Sequence, residues 1–290
     1  MVAGGGRPAG PAGRLLIARG LAKLRERAGL TQVQLAEMAG CSKATVSRYE
    51  MWQDRARIKW ATVKALADAC GASAEERNAL VELAKVQSAG WWVGDPAVPE
   101  WLDPLVSFED QAGYSRVAAN AVVPGLLQTP AYARALHHNA PLPDQPEDLE
   151  KAVKARMRRQ EVLDRGLHLW VVLDEAVVRR VVGSDEIMAE QMAHLIAQAE
   201  RPNVDLQILP FRSDLPSGTG RYTILGRDDE RNPLNSMAVV YLELMWRGCY
   251  LDDAEQVSAY KLMFDRLRAQ AVGASETLRL IEAAQREYRR

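Results

Sequence analysis

The spacing of three residues between Gln32 and Met51 constrains the fold of this chain more than any other feature. Ala36 is followed after four positions by Gly40, and after six more by Val46. Two helices that cross at about 90–120° over a short turn need a small residue where they touch. The turn needs a residue that tolerates a positive φ, and the second helix needs an apolar anchor. Ala36, Gly40 and Val46 meet these needs in order, so the spacing predicts two short helices joined by a tight turn.

Capping residues support the same two helices. Thr31, with Gln34 three positions later, has the pattern of a capping box before the first of them. Ser42 is placed to cap the second, which we expect to run to about Met51. Apolar periodicity, glycine stops and a further capping box predict an all-α domain of about five helices over residues 14–88, with the other three helices at 14–28, 59–70 and 73–86.

The exposed face predicted for the helix after Ser42 is polar and basic. Lys43, Ala44, Ser47 and Arg48 share this face, opposite the apolar anchor. An arginine on such a face can fork onto guanine O6 and N7, a contact worth about 1–3 kcal/mol of discrimination between bases. The pattern favours double-stranded DNA as the partner. The alternative is a solvated basic face on a helical bundle, which would leave the Ala–Gly–Val spacing unexplained.

The run LRERAGLTQVQLAEMAG, followed by SKATVSRYE, resembles the xenobiotic-response-element family of regulators, which includes the phage repressors. The resemblance covers about residues 14–70 and implies a helix-turn-helix domain. It implies base contacts from Lys43, Ala44 and Arg48, and phosphate contacts from Gln32, Thr45 and Ser47. It also implies an ion pair between Arg25 and Glu50, which we expect to be structural.

The loop after Glu50 departs from that family, whose members often have a small glycine-containing turn here. This chain instead has Met51-Trp52-Gln53-Asp54. Arg55 and Arg57 follow, and we expect both to contact DNA phosphates, which position a protein but do not specify sequence. Because the loop is altered, this expectation rests on charge rather than on the resemblance.

Charge divides the chain, although its net charge is only −1. Residues 1–90 carry 14 Lys and Arg against 8 Asp and Glu, a net charge of +6; residues 91–290 carry 23 against 30, a net charge of −7. The division predicts that only the first part meets nucleic acid. We interpret residues 1–13, rich in Gly, Ala and Pro, as a disordered tail and not as a signal peptide. No apolar run approaches the roughly 20 residues that cross a bilayer, and the three scattered cysteines suggest neither disulfides nor a metal site. We therefore expect a cytoplasmic protein without a membrane segment, associated with the nucleoid when it is bound to DNA.

Residues 89–104, with three prolines and the pair Trp91-Trp92, are the predicted linker. We expect an α+β domain over residues 105–290. Its predicted helices are 129–139, 147–165, 174–182, 185–200, 253–271 and 275–289, and its predicted strands are 168–173, 204–209, 221–225 and 238–244.

Residues 105–290 lack the common catalytic motifs: there is no G-x-S-x-G, no H-E-x-x-H, no phosphate-binding glycine loop and no C-x-x-C. We expect His137 and His138 to be solvated, and the basic cluster of Arg156, Arg158 and Arg159 to form a solvated face. The sequence therefore predicts no enzyme, no cofactor and no metal.

Five segments of the second part resemble the C-terminal domain of actinobacterial WhiJ-type regulators: VPGLLQTPAYARAL (123–136), RMRRQEVL (156–163), VVLDEAVVRRVVG (171–183), PNVDLQILP (202–210) and VVYLEL (239–244). This resemblance implies a developmental or antitoxin-like regulator, often encoded beside a small partner protein. It implies no catalytic residue.

Together these patterns predict a sequence-specific transcriptional regulator whose second domain receives a protein or small-molecule signal. The alternative is an antitoxin-like protein that binds a small partner encoded nearby and regulates its own promoter. We expect a homodimer, because one short helix reads too few base pairs to find a site in a genome. The apolar residues of the two terminal helices are candidates for the dimer contact, with burial in the domain's own core as the alternative: Leu262, Met263, Leu267, Leu278, Leu280 and Ile281.

Overall fold

The computed structural model describes residues 10–54, 57–85, 90–92, 95–138, 149–213, 220–230, 236–244 and 247–290. The chain divides into two compact units. The first comprises Met1–Val93, Val106–Gln111 and Arg227–Met237, and the second comprises Gly94–Leu105, Ala112–Gly226 and Ala238–Arg290.

Among the described residues before Val93, the first unit has five helices, as predicted. They are α1 (Pro11–Arg27), α2 (Gln32–Met38), α3 (Lys43–Tyr49), α4 (Trp60–Ala69) and α5 (Ala74–Lys85). Each presents an apolar face to a shared core that includes Leu21, Leu35, Val46, Leu66 and Leu80, all with at most 1% of their surface exposed. The all-α prediction for this part of the chain is confirmed.

The predicted tail over residues 1–13 is wrong at its C-terminal end. Residues 1–9 lie outside the described residues, but α1 begins at Pro11, three residues before the predicted start. A proline is well suited to the first helical position, because its fixed φ matches the helix and its missing N–H would have no helical partner. Ala12 is fully buried and its backbone N–H donates to Ser107 Oγ at 3.1 Å, a contact that local composition does not reveal.

A mixed six-stranded sheet forms the centre of the second unit, with strand order β3-β2-β1-β4-β5-β6. Strands β1, β2 and β3 are parallel, whereas β4 runs antiparallel to β1 and β6 antiparallel to β5. The strands are β1 (Tyr114–Ala119), β2 (His168–Asp174), β3 (Val204–Leu209), β4 (Tyr222–Arg227), β5 (Met237–Glu243) and β6 (Gly248–Leu251).

Helices cover both faces of this sheet, so the predicted α+β class is confirmed. The helices that follow α5 are α6 (Asp103–Gln111), α7 (Pro130–His138), α8 (Leu149–Arg159), α9 (Glu175–Arg179), α10 (Asp185–Ala199), α11 (Ala254–Gln270) and α12 (Ala274–Tyr288). One face of the sheet packs against α7, α9, α10 and α12, and its core includes Val171 and Ile208. The other face packs against α11, and Phe264 of this helix shares a core with Val172 and Ile224.

The first unit gives way to the second after Val93, which falls inside the predicted linker at residues 89–104, but two later segments also belong to the first unit. Besides the bond from Ala12 to Ser107, Trp52 packs edge-to-face on Phe108 with 5.4 Å between ring centroids. Arg227 also donates to the carbonyl of Gln111 at 3.4 Å. These contacts join residues that are far apart in sequence, and so no local composition shift marks them.

The terminal helices use most of their apolar residues within their own unit. Leu267 and Ile281 are buried in the two cores of the sheet, and Met263 and Leu280 pack partly against them. Leu262 differs, since 55% of its surface is exposed. Four of the six residues thus contribute to the domain's own cores, whereas Leu262 is exposed and Leu278 is half-buried.

Candidate nucleic-acid interface

The turn between α2 and α3 has the geometry that the spacing predicts. Ala36 is buried with 4% of its surface exposed, and its carbonyl accepts from the Cys41 N–H at 2.9 Å. Gly40 has φ +66°, in the left-handed region that favours glycine. Val46 is fully buried in the helical core. The three residues that predicted the turn thus perform the structural roles assigned to them.

Side-chain caps fix the starts of both helices. Thr31 accepts from the Gln34 N–H at 3.3 Å, and the Gln34 side chain accepts from the Thr31 N–H at 2.9 Å, which completes the predicted capping box. Ser42 accepts from the Thr45 N–H at 3.1 Å. Because the caps satisfy N–H groups that lack partners within the helix, each seven-residue helix has a defined first turn.

The outer face of α3 holds the residues predicted to contact bases. Lys43, Ala44 and Arg48 are exposed, whereas Thr45 and Ser47 are half-buried at its edges. Neither Lys43 nor Arg48 has a side-chain partner among the residues that the structure describes. The face therefore presents two cationic side chains, separated by small and hydroxyl residues, to the solvent.

A buried ion pair holds the C-terminal end of this helix. Arg25 on α1 forks onto Glu50, with Nε–Oε1 at 2.7 Å and Nη2–Oε2 at 3.1 Å, and its third bond goes to the Leu30 carbonyl. The bond to Glu50 raises the pKa of Arg25. Side-chain exposure is only 16% for Arg25 and 7% for Glu50. The pair joins α1, the turn before α2 and the end of α3, as expected of a structural ion pair.

Gln32 takes part in the same network, which sequence reasoning missed. Its Nε2 donates to Glu50 Oε2 at 2.8 Å. The side chain expected to contact phosphate is thus bound within the protein here, while the prediction of a phosphate contact remains untested. A glutamine placed at the first position of α2, opposite the glutamate that ends α3, was the only sequence signal for this bond.

The loop after α3 carries the remaining predicted phosphate contacts. Arg55 lies outside the described residues, and Arg57 is exposed, as is Lys59. Tyr49, at the end of α3, accepts from the Lys59 N–H at 3.0 Å through its hydroxyl. The loop is therefore anchored to the buried side of α3, while the side chains of Arg57 and Lys59 face the solvent.

In the second unit, the expectation of a solvated arginine face is wrong for two of its three members. Arg158 is exposed, but Arg159 has only 7% of its surface exposed, and Arg156 donates to Gln128 Oε1 at 3.0 Å. Gly125 explains part of this, because a Cβ at this position would lie 3.3 Å from Arg156 Nη1. The guanidinium groups pack against a glycine turn whose importance was not visible in the sequence.

His137 also departs from the expectation of a solvated side chain. It is half-buried, whereas His138 next to it is exposed. Burial, helped by the positive charge of Arg156, lowers the pKa of His137 to about 4. The half-buried imidazole is therefore difficult to protonate, in contrast to the solvated side chain that the sequence predicted.

A buried polar network lies beside these residues. Gln191 of α10 is fully buried, accepts from the Thr129 N–H at 2.8 Å and donates to the Leu127 carbonyl at 2.7 Å. These bonds satisfy backbone groups of the turn before α7, which is a structural function. Within the described part of the chain, no group of three or more His, Cys, Asp or Glu is arranged to hold a metal ion, and no helix is long and apolar enough to cross a membrane.

Two family models match the chain. Residues 16–80 match a helix-turn-helix domain, which confirms the motif predicted from the sequence and supports a DNA-binding regulator. Residues 102–283 match the model described as a domain of unknown function, DUF5753. Neither a curated protein nor a solved structure matches the chain. The DUF5753 model covers more than half of the residues of this chain, and the chain therefore belongs to the DUF5753 family.

Proposed function

We propose that this protein is a sequence-specific transcriptional regulator that reads DNA with α3. The observation that carries the proposal is the exposed face of this helix, where Lys43, Ala44 and Arg48 project from a scaffold fixed by Val46 and by the buried pair of Arg25 with Glu50. The major groove of B-DNA admits an α-helix, and an arginine there reads guanine through two hydrogen bonds.

The phosphate contacts lie around this face. Thr45 and Ser47 flank it, Gln32 lies at the start of α2, and Arg57 lies in the loop after α3. Contacts of this kind fix the register of a protein on the duplex and make its affinity depend on salt. They position α3 so that its base contacts discriminate between sequences.

The second unit receives the signal in this proposal and carries no catalytic step or cofactor. The signal is a small protein or a small molecule, and the sensing protein acts as a homodimer in the cytoplasm. Two copies place their recognition helices about 34 Å apart on one side of the duplex, which lengthens the recognised site. A pseudo-palindromic operator follows from that symmetry.

The test is discrimination between sequences by the full-length protein. A duplex selected from a random library by the wild-type chain is compared with a scrambled duplex of the same composition, using fluorescence anisotropy. We expect Arg48→Ala to abolish the preference while the melting curve stays unchanged, since Arg48 is exposed. Arg279→Ala is the matched control, because this arginine on α12 is 72% exposed and far from α3 in sequence. An unchanged preference in Arg48→Ala contradicts the proposal.

A further inference from the structure

We infer that the end of α6 completes the DNA-binding unit and that Phe108 holds the loop after α3 through Trp52. This inference rests on the proposed function, and it adds a positioning role for residues that lie far from the helix-turn-helix in sequence. The last six residues of α6, Val106–Gln111, belong to the first compact unit. We call residues 51–54 and 57–59 the Trp52 loop.

The ring contact is the first observation. Trp52 has 7% of its surface exposed and Phe108 is fully buried. Their rings meet edge-to-face, with an interplanar angle of 76° and 5.4 Å between centroids. This is a favoured arrangement for an aromatic pair. A tryptophan in a loop after a short helix would leave a large apolar surface in water if it had no neighbours, and the ring of Phe108 covers part of that surface.

The start of α1 joins the same cluster. Ser107, beside Phe108, accepts from the buried Ala12 N–H at 3.1 Å. A Cβ on Gly10 would lie 3.1 Å from the same Ser107 oxygen, so the chain passes α6 closely. Arg14, with 6% of its surface exposed, donates to the Asp54 carbonyl at 2.5 Å. The Trp52 loop is therefore attached to both α1 and α6.

The basic side chains of the loop depend on these attachments. Arg57 and Lys59 are exposed, and the Lys59 backbone is bound to the Tyr49 hydroxyl. By contrast, α3 is held separately by the bonds from Arg25 to Glu50 and by Val46 in the core. Loosening the Trp52 loop should therefore weaken phosphate contacts while the base-reading face of α3 stays in place.

The test uses the full-length protein with Phe108→Ala and Trp52→Ala, the selected duplex and a scrambled duplex of equal composition. Both variants should bind the two duplexes more weakly by the same factor, so that the ratio of the two affinities is unchanged. The slope of log affinity against log salt should become shallower by about 0.9 for each phosphate that the variant no longer neutralises. Trp52→Phe keeps a ring against Phe108 and should bind as the wild type does.

Two further variants keep the outcome decisive. Phe264→Ala removes an equally buried ring from the second unit, and its salt slope should be unchanged. Phe108→Leu removes the ring but keeps most of the apolar volume, and it takes the place of Phe108→Ala if that variant does not fold. The same changes in affinity and salt slope are expected of it, with a smaller magnitude. Wild-type affinity and slope in the Phe108 and Trp52→Ala variants overturn the inference, and so does a loss of the sequence preference. A wild-type chain that prefers no duplex instead contradicts the proposed function, so the two failures are distinguishable.

Discussion

Replacing Arg25 by methionine should destabilise the first unit strongly, because it leaves a carboxylate buried without its cation. Glu50 has only 7% of its side chain exposed, and in this variant it would keep its hydrogen bond from the neutral amide of Gln32. Breaking a buried ion pair by removing one partner costs roughly 3–5 kcal/mol. Because 16% of the Arg25 side chain is exposed, we expect a value near the lower end, about 3 kcal/mol.

The same helix provides a matched control. Arg27 also forks onto a carboxylate, that of Glu76, but 53% of the Arg27 side chain is exposed. Exposed pairs are screened by water and contribute little. Arg27→Met should therefore cost far less than Arg25→Met, although both remove two bonds to a carboxylate; Arg25→Met also removes the bond to the Leu30 carbonyl. A second control is the double variant Arg25→Met with Glu50→Gln, which removes the unpaired charge and should recover most of the stability.

The assay must follow the first unit alone, since a chain with two compact units need not unfold in one step. Amide hydrogen exchange in the segment from Gln32 to Asp54 reports the free energy of opening of α2 and α3. Protection in this segment should fall in Arg25→Met and be largely restored in the double variant. If protection falls no further in Arg25→Met than in Arg27→Met, burial of the pair is not what makes it important.

Three further predictions concern the stability effects of substitutions at Gly40 and His137 and the mass of the proposed homodimer. Gly40→Ala should destabilise the first unit by about 1 kcal/mol in thermal unfolding, because φ is +66° and an alanine there is strained. No atom lies close enough to clash with the added Cβ, so backbone strain is the expected cause. An unchanged melting temperature would refute this assignment. The pKa of His137 is about 4 in the folded protein, against an ordinary value of 6.5, so folding favours the neutral imidazole. The free energy of unfolding is therefore highest above pH 6.5 and falls as the pH drops to 4. The fall should be about 1–2 kcal/mol, because solvent screens a half-buried group. His137→Gln should flatten the fall in unfolding free energy over this range, whereas exposed His138→Gln should not, and equal pH profiles would contradict the assignment. Light scattering should give about twice the 32.1 kDa chain mass, and a monomer that binds a half-site with full affinity would exclude the dimer.

The helix-turn-helix was predictable because its determinants are local. Ala36, Gly40 and Val46 act within one turn, and Thr31 and Ser42 cap the helices that directly follow them. Each signal is a residue type at a fixed distance from the next, and the structure uses each one as the spacing indicates. Arg25 and Glu50 lie further apart, and only the resemblance to phage repressors pointed to their pairing.

The central strand β1 was missed for the opposite reason. Its sequence begins Tyr-Ser-Arg, which does not alternate between apolar and polar, although Ser115 is 99% buried. The guanidinium of Arg116 is covered by rings from other elements, including Trp170 of β2 and Phe264 of α11, each about 5.5–6 Å away. Tertiary contacts make this segment a strand, so no local pattern could reveal it. Helix α6 and its contact with Trp52 were missed similarly, since Trp52 and Phe108 lie far apart in sequence.

Methylation interference tests the central claim, that α3 reads bases, most directly. A methyl group on guanine N7 occupies the major-groove edge that an arginine fork would contact. With the selected duplex, the wild-type protein should show interference at one or more guanines, and interference should disappear from at least one of these positions in Arg48→Ala. A pattern that is the same in both proteins, or that shows no major-groove interference in the wild type, would contradict the account.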